Sequence, residues 1–377
     1  MHFIVNSGYF LKNLQTVSGA SGTNAVIPVL EDFLFELKGN NLRISASDLE
    51  IMMRIDIEVS QAGDDGRICI PSKTLIDILK NLPSQPIHFV VSHEENRVFI
   101  RCDSGKYEIM IHNADDFPKE PEQADVSSFN IAAISLIEAI NQTHFATSND
   151  TLRPAMTGVY FQLEHNDQGA VLNLVATDAH RLICTSLKGL SHQLNEGFIV
   201  PKKGLLQIRN ATPAEDVQIE IAFNQNYVFV TYNTLHMSCR LIDARFPDYK
   251  AVIPKDNPYE LLVNRTDLIS VLRRLSAIVS KGNNQVAFDI VGNALTLNAQ
   301  DIDFNAKGEE KMTCQYNGED MKIAFNIRFM IESLSNLEGA EVILELSTPS
   351  RAGILKPTEK QENKEVIMLM MPLMVGV

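Results

Sequence analysis

The chain has 377 residues, 45% of them hydrophobic and 21% charged, with a formal net charge of −14. This is the composition of a globular chain long enough for two or three domains, each able to bury a core without covalent staples. It excludes a membrane-spanning helix, since no apolar run reaches the ~20 residues one needs and the longest, Val366 to Val375, contains Pro372.

The elements read in chain order as follows. Phe3-Ile4-Val5 is a strand, and Phe10, Leu11, Leu14 and Val17 then recur at helical spacing over 8–18, with Asn6-Ser7 as the start signal. Phe33 to Leu37 and Leu42-Arg43-Ile44 alternate with period two around Gly39-Asn40-Asn41, which predicts a hairpin. Ile68-Cys69-Ile70 is a strand leading into a helix over 72–82, and His88 to Val91 and Val98 to Ile100 are further strands. The grammar then restarts: Phe129-Asn130-Ile131 before a helix over 133–145, and Phe198-Ile199-Val200 before a helix over 202–210. It restarts again with Leu261-Leu262-Val263 and a helix over 265–281, opened by Asn264-Arg265-Thr266-Asp267. A hairpin around Gly292-Asn293 follows, then Lys322-Ile323-Ala324 and a helix over 327–336.

The restarts are also literal. Leu42-Arg43-Ile44-Ser45-Ala46-Ser47-Asp48, Leu172-Asn173-Leu174-Val175-Ala176-Thr177-Asp178 and Leu295-Thr296-Leu297-Asn298-Ala299-Gln300-Asp301 end on aspartates 130 and 123 residues apart. Ile70-Pro71-Ser72-Lys73, Val200-Pro201-Lys202-Lys203 and Ala324-Phe325-Asn326-Ile327 keep the same beat, as do Phe117-Pro118, Phe246-Pro247 and Met371-Pro372. A period of domain length is too long for a solenoid, whose repeats run about 20–50 residues. The expected architecture is α+β: three tandem copies of one domain, two helices packed on antiparallel sheets, at 1–124, 125–253 and 254–377, with boundaries in polar, proline-bearing connectors. Such an array suits a ring or arc that acts as a scaffold.

The chemistry of catalysis is thin. Asp178 and His180 invite an acid–base reading, as in a hydrolase with its cleft between domains, but the other copies hold Ser47-Asp48-Leu49-Glu50 and Gln300-Asp301-Ile302-Asp303 there. The aspartate recurs and the histidine does not, so the aspartate reads as the holder of a turn. No nucleophile elbow, phosphate-binding loop, dinucleotide fingerprint or metal-ligand spacing occurs. Five scattered cysteines without a Cys-x-x-Cys pair read as buried free thiols, with no disulfide framework and no zinc. The start, Met1-His2-Phe3-Ile4-Val5-Asn6, lacks the pattern of a secretory leader, so a cytoplasmic protein is expected. No cofactor is expected.

The charge is unevenly placed. The six helical segments hold eleven basic residues, Lys12, Lys73, Lys80, Lys202, Lys203, Arg209, Arg265, Arg273, Arg274, Lys281 and Arg328, against four acidic ones, Asp77, Glu138, Asp267 and Glu332. Equivalent helices of a repeated fold share a side, so an acidic protein is expected to carry one basic face. Without aromatic interleaving, that face suits sequence-independent phosphate contact and not base reading. The stretch Val366 to Val375 is rich in methionine, whose pliant side chains suit a surface that accepts several apolar peptides.

Four motifs carry a resemblance: Leu11-Lys12-Asn13-Leu14-Gln15-Thr16-Val17-Ser18-Gly19, Ala176-Thr177-Asp178-Ala179-His180-Arg181-Leu182, Arg245-Phe246-Pro247-Asp248-Tyr249 and Met371-Pro372-Leu373. On them the whole chain resembles the bacterial DNA polymerase III beta-subunit family, the DNA sliding clamps. The resemblance implies a non-catalytic processivity factor that closes as a head-to-tail homodimeric ring around duplex DNA, helices lining the hole and sheets outside. It implies one main peptide-binding pocket per subunit, between the second and third copies. Its walls would be Met156, Thr177, His180, Arg181, Leu182, Pro247, Val252, Met370, Met371, Pro372, Leu373 and Met374. There the replicative polymerase subunit, clamp loader, other polymerases and repair proteins would insert short motifs. The ring interface would set Tyr107 and Ile109 of one subunit against Ile278 and Val279 of the next. The chain departs from relatives at Asn24, at Pro154-Ala155 and in its apolar tail Met374-Val375-Gly376-Val377, which bears on DNA contact and partner preference.

Overall fold

The computed structural model describes all residues except 23–26, 168, 281, 283, 302 and 375–377. Asn24, Lys281 and the last three residues of the tail therefore lie outside the described residues.

The first copy runs β1 (His2–Asn6), α1 (Ser7–Val17), β2 (Asp32–Lys38), β3 (Asn41–Ser47), β4 (Ile51–Glu58), β5 (Gly66–Pro71), α2 (Ser72–Lys80), β6 (Pro86–Ser92), β7 (Arg97–Cys102) and β8 (Gly105–Met110). The second runs β9 (Ser127–Ala132), α3 (Ala133–Thr143), β10 (Gly158–Asn166), β11 (Gly169–Thr177), β12 (Arg181–Leu190), β13 (Gly197–Pro201), α4 (Lys202–Ala211), β14 (Gln218–Phe223), β15 (Tyr227–Tyr232) and β16 (Leu235–Arg240). The third runs β17 (Tyr259–Asn264), α5 (Arg265–Leu275), β18 (Gln285–Val291), β19 (Ala294–Asp301), β20 (Ala306–Thr313), β21 (Gln315–Tyr316), β22 (Met321–Asn326), α6 (Ile327–Ser335), β23 (Glu341–Leu346), β24 (Gly353–Pro357) and β25 (Lys364–Met370).

Local chemistry sets these elements. The Asn6 side chain accepts from the amides of Gly8 and Tyr9, Asn264 from Asp267, and Asn326 from Arg328 and Phe329. Each thereby satisfies amides that the first helical turn leaves without partners. Gly39 (φ +57°) and Gly292 (φ +53°) turn the two predicted hairpins in the left-handed region.

Contacts divide the chain into two compact bodies. One is Met1–Ile137 with Lys203–Leu241, and the other is Glu138–Lys202 with Ile242–Val377. The first holds an eight-stranded antiparallel sheet, β5-β2-β3-β4-β16-β15-β14-β9, and a four-stranded one, β1-β6-β7-β8. Its core includes Phe3 stacked on Phe89 at 4.7 Å and Phe10 edge-on to Phe35 at 5.7 Å. The second holds a nine-stranded antiparallel sheet, β13-β10-β11-β12-β25-β24-β23-β17-β21, and a four-stranded one, β20-β19-β18-β22. Phe288 and Phe325, both fully buried, meet edge to face at 5.5 Å in its core.

The sequence repeat is thus not the unit of packing, because sheets run from one copy into the next. Strand β4 pairs with β16, Ile51 opposite Cys239 through Ile55 opposite Leu235. Strand β12 pairs with β25, Arg181 opposite Met370 through Leu187 opposite Lys364. No helix among the described residues is long and apolar enough to cross a membrane.

Candidate functional site

The recurring aspartate is the hinge of a turn. Asp48 Oδ1 accepts from the amides of Glu50 (3.0 Å) and Ile51 (2.7 Å), and Asp178 Oδ1 from His180 and Arg181 (both 3.0 Å). Asp301 Oδ1 accepts from Asp303 (3.0 Å) and Phe304 (3.2 Å). Three Asx turns therefore stand at the same place in three copies. Leu49 (φ +75°) and Ala179 (φ +74°) sit in the left-handed region inside two of them. With its carboxylate engaged by backbone amides and by Arg181, Asp178 is not poised against His180, whose exposed ring lies 6.2 Å from that of Phe329.

Arg181, in the same turn, is not a surface cation. Its side chain is only 5% exposed. Nε donates to Asp178 Oδ2 (3.0 Å), Nη1 to Glu332 Oε2 (2.6 Å) and Nη2 to the Phe145 carbonyl (3.0 Å). The guanidinium also lies over the rings of Phe329 (4.2 Å) and Phe145 (5.2 Å). A buried guanidinium with this many partners is a strut between strand β12, helix α6 and the end of α3.

Around this strut the expected pocket residues separate into two layers. Thr177, Arg181, Leu182 and Met370 are buried and form a floor, which corrects their assignment as walls. The physical reason is that Arg181 and Leu182 open strand β12, whose partners opposite are Met370 and Leu369 in the same sheet. Leu182 and Leu369 join Val175, Cys184, Ile199, Phe246, Tyr249 and Ile354 in one apolar cluster, with Ala155 and Ile253 packed against it. Above the floor His180, Pro247, Val252, Met371 and Met374 are exposed, while Met156, Pro372 and Leu373 are half-buried. The Met371 amide donates to the His180 carbonyl (3.0 Å) and the Leu373 amide to Ala324 (2.8 Å), so the chain end is pinned beside the turn. The result is an apolar surface with rigid backing.

Phe145, Phe329, Glu332 and Tyr249 were not singled out as site residues by the sequence. Phe145 had one available signal: it fills the slot of Gly19 at the end of the equivalent helix, in Thr143-His144-Phe145-Ala146 against Val17-Ser18-Gly19-Ala20. Tyr249 donates to Gln162 Oε1 at 2.5 Å, and burial pushes its phenol well above the ordinary range.

The basic residues are not equivalent. Lys12, Lys73, Lys80, Arg273 and Arg328 stand exposed on their helices, and Lys202 is half-buried. Lys203 pairs with Asp48, Arg274 with Glu310 (2.8 Å), and Arg209 donates to Asn210 Oδ1. Arg265 donates to the carbonyls of Gly339 (2.7 Å) and Leu334 (3.1 Å). It therefore supports the end of α6 and has little left for a phosphate. Glu138, the acidic exception on α3, is neutralised by Lys364 at 2.7 Å.

Strands β8 and β20 each end a four-stranded sheet and carry an open backbone edge. Of the expected interface residues, Ile109 (5% exposed) and Val279 (8%) are buried within the single chain, Ile109 on edge strand β8. Tyr107 is 36% exposed and Ile278 is half-buried. Among the described residues, no three His, Cys, Asp or Glu side chains are grouped to hold a metal ion.

Residues 1–121, 130–248 and 250–371 match the family models described as the N-terminal, central and C-terminal domains of the DNA polymerase III beta subunit. The chain is 26% identical over 371 residues to the beta sliding clamp of Pseudomonas aeruginosa, covering 98% of this chain and 100% of that one. It is 26% identical over 381 residues to the beta sliding clamp of Staphylococcus epidermidis, covering 99% of each. The crystal structure of the Pseudomonas aeruginosa sliding clamp bound to griselimycin superposes with a TM-score of 0.93 at 25% identity, covering 100% of both chains.

Proposed function

The chain belongs to the DNA polymerase III beta-subunit family, and from that premise we infer that it works as a DNA sliding clamp, the processivity factor of a replicative polymerase, without catalysis of its own. Two copies close head to tail into a ring around duplex DNA in the cytoplasm. The observation that carries this reading is the strand pairing. The copies bounded near 124 and 253 are joined by β4 on β16 and by β12 on β25, and the same joint is left half-made at both β8 and β20. A heterologous contact that satisfies both edges at once closes at two copies.

The exposed basic residues, Lys12, Lys73, Lys80, Arg273 and Arg328 foremost, face the DNA and hold its phosphates without reading bases. Retention is topological, so weak local affinity is an advantage for sliding. The apolar surface of Met156, His180, Pro247, Val252, Met371, Pro372, Leu373 and Met374, backed by Arg181 and Leu182, takes short apolar motifs from polymerase subunits, the clamp loader and repair proteins.

Two measurements test this. After loading, the protein should stay on circular DNA and run off linear DNA of the same sequence; equal retention on both would end the topological reading. Fluorescence anisotropy of a Gln-x-x-Leu-Phe peptide should show saturable binding that is lost on deletion of Leu373 to Val377. Undiminished binding by that deletion would end the assignment of the pocket.

A further inference from the structure

The docking surface concentrates the accessible sulfur of the molecule. The chain has 13 methionines, and among the described residues only Met110 (56% exposed), Met371 (46%) and Met374 (93%) are exposed. Two of the three stand on the apolar surface beside His180, where Met156 is half-buried. Met370, one residue before Met371, is 1% exposed, and its Sδ accepts from Ser333 Oγ at 3.6 Å. The contrast arises where the sheet ends. Met370 is the last residue of β25 and lies opposite Arg181, whereas Met371 has left the strand and is held by its amide on the His180 carbonyl.

We propose that Met371 and Met374 are sites of reversible oxidation, and that peroxide acting there switches off partner docking. The proposal rests on the docking reading above and adds its regulation. In the step, the Sδ lone pair attacks one oxygen of hydrogen peroxide. The S–O bond forms, the O–O bond breaks, and the departing hydroxide takes the proton of the transferred oxygen and leaves as water. Sulfur loses two electrons and the peroxide gains two. A thiol-dependent sulfoxide reductase reverses the change: two thiols become a disulfide, and the oxygen leaves as water.

The sulfoxide oxygen is a strong acceptor on what was an apolar tip. In the free chain it sits in water, because both side chains are exposed, so oxidation leaves the fold intact. Under a docked apolar motif it needs a donor. The backbone amides beside it are committed, Met371 to the His180 carbonyl and Leu373 to that of Ala324, and Pro372 has none. Gln285 Nε2 donates to the Met374 carbonyl at 3.2 Å. Covering acceptors that find no donor weakens docking, on the order of tenfold or more for the pair. The thiols do not compete at this surface. Cys184 lies in the apolar cluster beneath it, pushed up to about 11 by burial, and half-exposed Cys102 belongs to the other body. Among the described residues no helix carries an exposed methionine, so the basic face is unchanged. An oxidised clamp therefore stays on DNA while its partners leave.

The test uses the full chain and a labelled Gln-x-x-Leu-Phe peptide without methionine, read by fluorescence anisotropy. The chain is treated with hydrogen peroxide, the peroxide is removed with catalase, and mass spectrometry of a digest locates each sulfoxide. Wild type oxidised at Met371 and Met374 should bind on the order of tenfold or more weakly, with an unchanged thermal transition. Methionine sulfoxide reductase should then restore binding. A chain with Met371→Leu and Met374→Leu, compared only with its own untreated affinity, should not weaken on the same treatment, and sulfoxide at its Met110 shows that the oxidant acted. Recovery in wild type needs no substitution, so it decides the matter even where the double variant starts from weak binding. Equal binding by the oxidised wild type, an equal loss in the double variant, no recovery with the reductase, or a loss that comes with a collapsed transition would overturn the proposal. So would Met371 and Met374 that stay reduced while Met110 oxidises. An untreated wild type that binds no peptide would instead overturn the docking reading itself.

Discussion

Arg181→Met should cost the second body about 3 kcal/mol of stability. Removing one partner of a buried ion pair typically costs about 3–5 kcal/mol, because the charge left behind stays unpaired. Here Asp178 would be the stranded group, its side chain 14% exposed, while Glu332 at 50% can turn to water, which places the cost at the lower end of that range. The cation–π attraction to Phe329 and Phe145, about 1–2 kcal/mol, is matched by the packing of the methionine side chain on the same rings and leaves that total unchanged. For a body of this size, about 2–4 °C is lost per kcal/mol, so its calorimetric transition should fall by roughly 6–12 °C. Arg181→Lys, which keeps the charge but not the planar fork, should fall in between. A transition within about 1 °C of wild type for Arg181→Met would refute the view of Arg181 as a buried strut. The same variant should weaken peptide binding, since the floor beneath Met371 and His180 would loosen.

The other predictions concern separate parts of the molecule. Triple replacement of Lys12, Lys73 and Arg273 by Glu should lower DNA affinity and reduce the slope of log K against log salt by about one for each phosphate no longer neutralised; an unchanged slope would remove these residues from the DNA face. Burial raises the Cys69 and Cys239 thiols to about 12 and Cys184 to about 11, whereas Cys102 is half-exposed, so iodoacetamide at mildly alkaline pH should label the native chain first at Cys102. Rapid labelling of Cys69, Cys184 or Cys239 would contradict the buried, inert reading. Asp32 is 2% exposed, and its burial raises the carboxyl against the lowering effect of His112, whose Nδ1 lies 2.6 Å away. The folded chain then holds the Asp32 proton to higher pH than the unfolded chain. Its contribution is full below the ordinary carboxylate pKa and declines as pH rises through the raised one, from about pH 4 upward. Asp32→Asn should remove that decline from a plot of melting temperature against pH, and an unaltered plot would show that Asp32 does not set it.

Whatever acts over a few residues could be read from the chain itself. Asparagine ahead of a helix, glycine between alternating strands and an aspartate closing each Asx turn work at that range, so α1, α6, the start of α5, both hairpins and the three homologous turns were legible within a residue or two, whereas α5 ends at Leu275 and not at the expected 281. Which surfaces remain open was settled by long-range packing. Strand β4 meets β16, and β12 meets β25, across some 180 residues of chain, and no local period encodes that pairing. For the same reason exposure could not be read from residue type. Arg181 looked like a groove wall until strand pairing and two phenylalanines enclosed it, and Arg265 looked like a phosphate contact until two carbonyls claimed it. A charge is buried or free according to the partners that distant segments bring to it, and those partners come from the packing of the whole body.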